Sequence, residues 1–149
     1  AERLSALNSE ITIRTYPIRL TEENAQEIIS QYDIVVDGCD NFSTRYLIND
    51  ICAEMGKVYV YGAICGFEGQ VSVFHYGEEK KSYRDLYPDE EEMRRMPPPP
   101  KGVMGITPAV TGSIEATEVL KIICGFGEVL SGKLWTIDLR TLQSNKFSL

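Results

Sequence analysis

Residues 33–49, DIVVDGCDNFSTRYLIN, limit the possible folds more than any other stretch of the chain. A short apolar run, Ile34-Val35-Val36, ends in a polar corner that carries Asp37 and Asp40. An amphipathic stretch from Asn41 to Met55 follows at once. The pattern predicts a buried strand feeding a helix through a loop at the strand's carboxyl end. In open α/β sheets, ligands bind at that edge. An acidic side chain there can hold Mg²⁺ and the phosphates attached to it.

The flanking segments alternate between two periodicities. Residues 10–16 (EITIRTY) alternate as a half-buried strand. Thr21 opens a helix with Glu22 and Glu23 in its first turn, where they suit the dipole, and Ala25, Ile28, Ile29 and Tyr32 form its apolar face. Gly56 stops the 41–55 helix. Residues 58–65 (VYVYGAIC) are apolar on both faces, as a central strand requires. The gap to 70–76 (QVSVFHY) is too short for a parallel crossover, so a hairpin is expected.

The stretch 77–105 reads as a long crossing loop, with GEEKK, DEEEMRR and a polyproline-like run from Pro97 to Pro100. The acidic run 89–92 reads as a solvated face. Thr107-Pro108 then supplies an N-cap and a proline at the first helical position, and the helix ends at Gly125. Val119, Leu120, Ile122 and Ile123 predict that its second half is buried. Residues 133–141 alternate as a strand with Trp135, Ile137 and Leu139 inward. A turn at 143–145 leads to a last strand, KFSL. The expected fold is α/β, a Rossmann-like mixed sheet, parallel early and antiparallel late, flanked by helices over residues 1–149.

Charge and cysteine content exclude several classes. The net charge of −7 comes with no basic patch, so a nucleic-acid partner is not expected. No apolar run approaches the ~18 residues that cross a bilayer. Cys39, Cys52, Cys65 and Cys124 form no C-x-x-C pair, and buried reduced thiols of a cytoplasmic protein are the simplest reading. His75, the only histidine, lies on a strand pattern and suits a structural role better than a catalytic one.

Asp40 is the leading candidate for chemistry, although Asp is also a common helix N-cap. Asn41 can take the cap and leave Asp40 to a ligand. Arg45 stands one turn into the helix, within reach of Asp40 or a phosphate, or simply exposed. Asp37 and Cys39 share the corner. Neither G-x-G-x-x-G nor G-x-x-x-x-G-K-[ST] occurs. That absence counts against a nicotinamide-dependent oxidoreductase, whose dinucleotide fingerprint needs the first of them.

Four segments occur in order: 33–49, GAICGFEGQVSVF (62–74), YRDLYP (83–88) and GVMGITPAVTGSIEATEVLKIICG (102–125). Together they resemble the ThiF/MoeB/HesA superfamily, bacterial relatives of ubiquitin-activating enzymes, over the C-terminal part of the adenylation domain. The resemblance implies ATP- and Mg-dependent adenylation of the C-terminal glycine of a ubiquitin-like sulfur-carrier protein. It places Asp40 at the magnesium and catalytic position, with Arg45 beside it. Asp37, Cys39 and Asn41 complete the nucleotide contacts. It implies a homodimer, and a crossing loop that guides the carrier's Gly-Gly tail. It also puts the family's phosphate loop before residue 1, so the chain is expected to be truncated at its N-terminus and to bind ATP poorly alone. A non-catalytic dimerisation and carrier-docking module is the alternative. The first C-x-x-C pair of the family's structural zinc site falls at Ser82 and Asp85, so no zinc is expected. The family thiol position near Pro98 is occupied by prolines.

Overall fold

A computed structural model describes residues 1–97 and 102–149. The proline run beyond Pro97, with the position near Pro98, lies outside the described residues. A short helix α1 (Glu2–Leu7) and a segment with neither helix nor strand precede α2 (Glu22–Ser30). Strand β1 (Ile34–Val36) leads into α3 (Phe42–Met55), which returns to β2 (Val58–Cys65). Strand β3 (Glu68–Phe74) completes a hairpin. Two short helices, α4 (Tyr83–Leu86) and α5 (Glu90–Arg95), precede α6 (Ile106–Cys124). Strands β4 (Lys133–Asp138) and β5 (Gln143–Ser148) finish the chain.

The sheet has five strands in the order β1-β2-β3-β4-β5. The β1–β2 pair is parallel and the rest are antiparallel. The change of direction follows from connection length: α3 is a full crossover, whereas Gly66 at φ +57° turns the β2–β3 corner in two residues. Alternation along β2 then sorts the core into two layers. Tyr59 and Tyr61 face α3, where Tyr46, Phe74 and Tyr83 join them in an aromatic cluster of edge-on and tilted ring pairs. Val60 faces the other way, with Val71, Val73 and Leu130 against Ile114, Val119 and Ile122 of α6.

Helix boundaries follow local chemistry. Asn41 caps α3 by accepting the Thr44 N–H at 2.9 Å, and Gly56 ends it in the left-handed region at φ +63°. Thr107 does not cap α6: the helix starts at Ile106, and the Thr107 hydroxyl instead donates to the Gly66 carbonyl at 2.8 Å. That bond pins α6 to the β2–β3 corner.

Several expectations are corrected. Residues 10–16 begin in a turn and form no ladder among the described residues; the side chains of Arg14 and Tyr16 reach Gln31 instead. His75 has left its strand at φ +60°. The β4–β5 turn falls at 139–142, and β5 already begins at Gln143. Leu120 and Ile123 are 53% and 67% exposed, because α6 stands on one face of the sheet and these positions fall on its outer side. Only Cys52 is buried; Cys39 is half-buried, while Cys65 and Cys124 end their elements in the open.

The aromatic layer sets a stability expectation. Phe74→Ala should cost about 3–5 kcal/mol in urea unfolding, since Phe74 is fully buried against three tyrosines, Tyr59, Tyr61 and Tyr83. Leu142→Ala, at 75% exposure, should stay within about 0.5 kcal/mol.

Candidate active site

The corner after β1 is built around Asp37. Its backbone N–H donates to the Val60 carbonyl at 2.9 Å, which extends the parallel pairing by one bond. Its carboxylate is buried and fully engaged. Oδ1 accepts the Cys39 N–H at 2.7 Å; Oδ2 accepts Arg45 Nε at 2.8 Å and the Tyr59 hydroxyl at 3.0 Å. Arg45 Nη2 also donates to the Cys39 carbonyl at 2.5 Å and the Gly62 carbonyl at 3.3 Å. One guanidinium therefore ties β1, the corner, α3 and β2 together.

Burial works against the charge on Arg45, but Asp37 outweighs it and raises the pKa further. Burial and the charge of Asp37 push the Cys39 thiol up to about 12, so it is a neutral thiol at neutral pH.

This arrangement corrects two expectations. Asp37 does not face the cleft; it is the internal counter-ion of Arg45. Arg45 pairs with Asp37 rather than Asp40, because its side chain turns back under the corner towards β2. Arg45 still forms part of the cleft wall. Asn41 commits its side-chain oxygen to the helix cap and gives its amide to Asp40 Oδ1 at 3.1 Å. Asp40 is thereby left exposed at the cleft, with no backbone N–H holding its carboxylate among the described residues.

The cleft itself has a volume of about 1080 Å³. It runs from the corner across the α3 side of the sheet. Its floor follows strand register: Ala63, Gln70, Thr136 and Asn145 form one row, and Cys65, Glu68, Asp138 and Gln143 the next. Tyr87, Met93, Met96 and Pro97 wall it from the crossing segment. The sequence reading missed this polar floor. Its signal was the outward alternation of Glu68, Gln70, Thr136 and Asp138.

Helix α3 also secures the crossing segment. Asn49 Oδ1 accepts Ser82 Oγ at 3.1 Å and the Tyr83 N–H at 2.9 Å, and meets His75 Nε2 at 3.0 Å. Burial lowers the pKa of His75. Tyr46 donates to the Tyr87 carbonyl at 2.7 Å, and Arg84 forks onto Asp50 at 2.8 and 2.6 Å. Ser82 and Asp85 form a capping box on α4. Stretches 83–86 and 90–95 of the expected crossing loop are thus short helices, and acidic Glu90 pairs with Arg84 and Arg94.

A model of the ThiF family matches residues 1–149. The chain belongs to the ThiF family. This ThiF-family chain is 47% identical over 149 residues to the sulfur carrier protein adenylyltransferase of Thermus thermophilus, covering 92% of the chain and 52% of that protein. It is 43% identical over 150 residues to a probable molybdopterin-synthase adenylyltransferase of Pyropia yezoensis, covering 99% of the chain and 39% of that protein. The chain thus spans about half or less of the length of these relatives. Among solved structures, E. coli MccB with ATP superposes at a TM-score of 0.78 and 19% identity, over 99% of this chain and 45% of MccB. That likeness shows the fold. None of the helices formed by the described residues is long and apolar enough to cross a membrane.

The Asp37–Arg45 pair sets the expectation here. Arg45→Met should cost about 3–5 kcal/mol, because it leaves a buried carboxylate without its counter-ion. Tyr59→Phe removes one of three donors to Asp37 and should cost about 1 kcal/mol. Denaturant midpoints of the two variants distinguish these sizes.

Proposed function

We propose that the protein carrying this chain is an ATP-dependent adenylyltransferase that activates the C-terminal glycine of a ubiquitin-like sulfur-carrier protein. The observation that carries this reading is Asp40: an exposed carboxylate at the carboxyl end of a parallel strand, beside a cleft of about 1080 Å³. The names of the relatives, a sulfur carrier protein adenylyltransferase and a molybdopterin-synthase adenylyltransferase, support the same chemistry.

In this reading the carrier's terminal carboxylate attacks the α-phosphorus of ATP, giving an acyl-adenylate and releasing pyrophosphate. Asp40 fits a magnesium site of the sparse kind, one carboxylate with the rest of the shell left to water and phosphate oxygens. When bound, the ion neutralises charge on the phosphates. Asn41 orients Asp40 through its amide. Arg45 acts as a positioning residue, holding the Cys39 carbonyl so that the corner keeps its shape. The polar rows of β3, β4 and β5 supply hydrogen-bonding partners for a tail running beneath the crossing segment.

The same reading includes a homodimer and a cytoplasmic location. The apolar outer side of α6, with Ile106, Leu120 and Ile123 exposed, supports pairing of two copies. Four free cysteines suit a reducing compartment.

ATP–pyrophosphate exchange, measured on the whole protein with a Gly-Gly-terminated carrier, tests the proposal. Exchange should depend on the carrier and fall about 100-fold or more in Asp40→Ala. No exchange with any such carrier favours the docking-module alternative, and exchange unaffected by the substitution removes Asp40 from the site.

A further inference from the structure

Glu115 takes no part in the chemistry above. It sits on the sheet side of α6 at 7% exposure, and its Oε1 is buried with no hydrogen-bond partner among the described residues. It lies directly over Gly62. A Cβ at that position would come within 2.3 Å of the Glu115 Cδ, and 2.5 and 2.6 Å of its two oxygens. Any other residue at 62 would therefore displace the carboxyl. The carbonyl of the same glycine accepts Arg45 Nη2 at 3.3 Å. Glu115 thus rests on the strand residue that Arg45 grips, and Arg45 grips the Cys39 carbonyl at 2.5 Å as well.

The charged groups that face Glu115 are Asp37 and Arg45, across β2. The core positions of β2 and β3 beneath α6, Val60, Val71 and Val73, carry no charge. Tyr59, on the opposite face of β2, is bonded to Asp37. Glu118, the next acid on the helix, is taken by Lys121 and the Leu130 N–H.

We propose that Glu115 is a positioning residue, acting through the glycine window at Gly62 on the Arg45–Asp37 pair and so on the Cys39–Asp40 corner. As a neutral acid it leaves the guanidinium to Asp37 and the two carbonyls. As a carboxylate it is a second anion competing for one guanidinium, and it slackens the hold on Cys39. Burial first, then the charge of Asp37, raise its pKa to about 7, with Arg45 opposing. Both forms are therefore populated at neutral pH. Because the folded chain holds this proton more tightly than the unfolded chain, the stability it contributes is complete below the ordinary value of 4.5 and is lost as pH rises to about 7. The consequence for nucleotide binding rests on the adenylation reading; the coupling to the corner does not.

The test is carried out on the whole protein, wild type against Glu115→Gln. The backbone amide resonances of Cys39 and Asp40 are followed across neutrality, and Mg-ATP affinity is measured over the same range. In the wild type the amides should titrate with a midpoint near 7, and affinity should fall about three-fold or more as pH rises through it. Both responses should be flat in Glu115→Gln. Amides that do not titrate in the wild type, or that titrate unchanged in Glu115→Gln, overturn the proposal. So does a variant that alters stability alone and leaves both pH profiles as in the wild type. Failure of the wild type to bind Mg-ATP counts against the adenylation reading, and the amide titration still decides the coupling.

Discussion

The site depends on one buried ion pair. Arg45 and Asp37 lie eight residues apart in sequence, on opposite sides of the β1–α3 corner, and their contact at 2.8 Å closes it. A buried ion pair is weak evidence of net stability, since desolvation offsets most of the Coulombic gain. Its effect here is geometric. Every hydrogen bond from Arg45 goes to a different part of the corner or to β2, so moving any of them disturbs the rest. The corner can then leave one carboxylate, Asp40, uncommitted to backbone amides and open to the cleft.

The same helix that carries Arg45 also holds the cleft's other wall. Asn49, Asp50 and Tyr46 all anchor the segment from Ser82 to Tyr87. The β1–α3 corner and the crossing segment are therefore set against one element, α3, and the opposing face is the sheet. On the far side of that sheet, glycines at 62 and 69 let α6 approach closely enough for Glu115 and Thr111 to fill the space a side chain would take. The close approach brings a second acid, Glu115, within electrostatic reach of the Asp37–Arg45 pair.

The sequence made the strand, corner and helix at 33–55 legible because all three signals agree there: an apolar run, two turn acids and a capping Asn. The mixed sheet was legible from connection lengths. Other features depend on tertiary context that periodicity does not carry. Residues 10–16 alternate like a strand, but a strand needs a ladder partner, and the described residues provide none. Leu120 and Ile123 read as core because they are apolar, although the helix turns them outward. Asp37 and Asp40 look alike in sequence; only the direction of Arg45 makes one an internal counter-ion and the other a ligand candidate. Glu115 gave no signal at all, since its position over Gly62 arises from helix-on-sheet packing.

The central claim is that Asp40, and not Asp37 or the acids of the cleft floor, meets the metal-bound nucleotide. Paramagnetic relaxation by Mn²⁺·ATP, read on the backbone amides of the whole protein, tests it most directly. The expected result is the strongest broadening at Asp40 and Asn41, weaker broadening at Cys65 and Gly66, and little at Asp138. Broadening centred on Asp138 or Glu68, with the Asp40 amide unaffected, would contradict it.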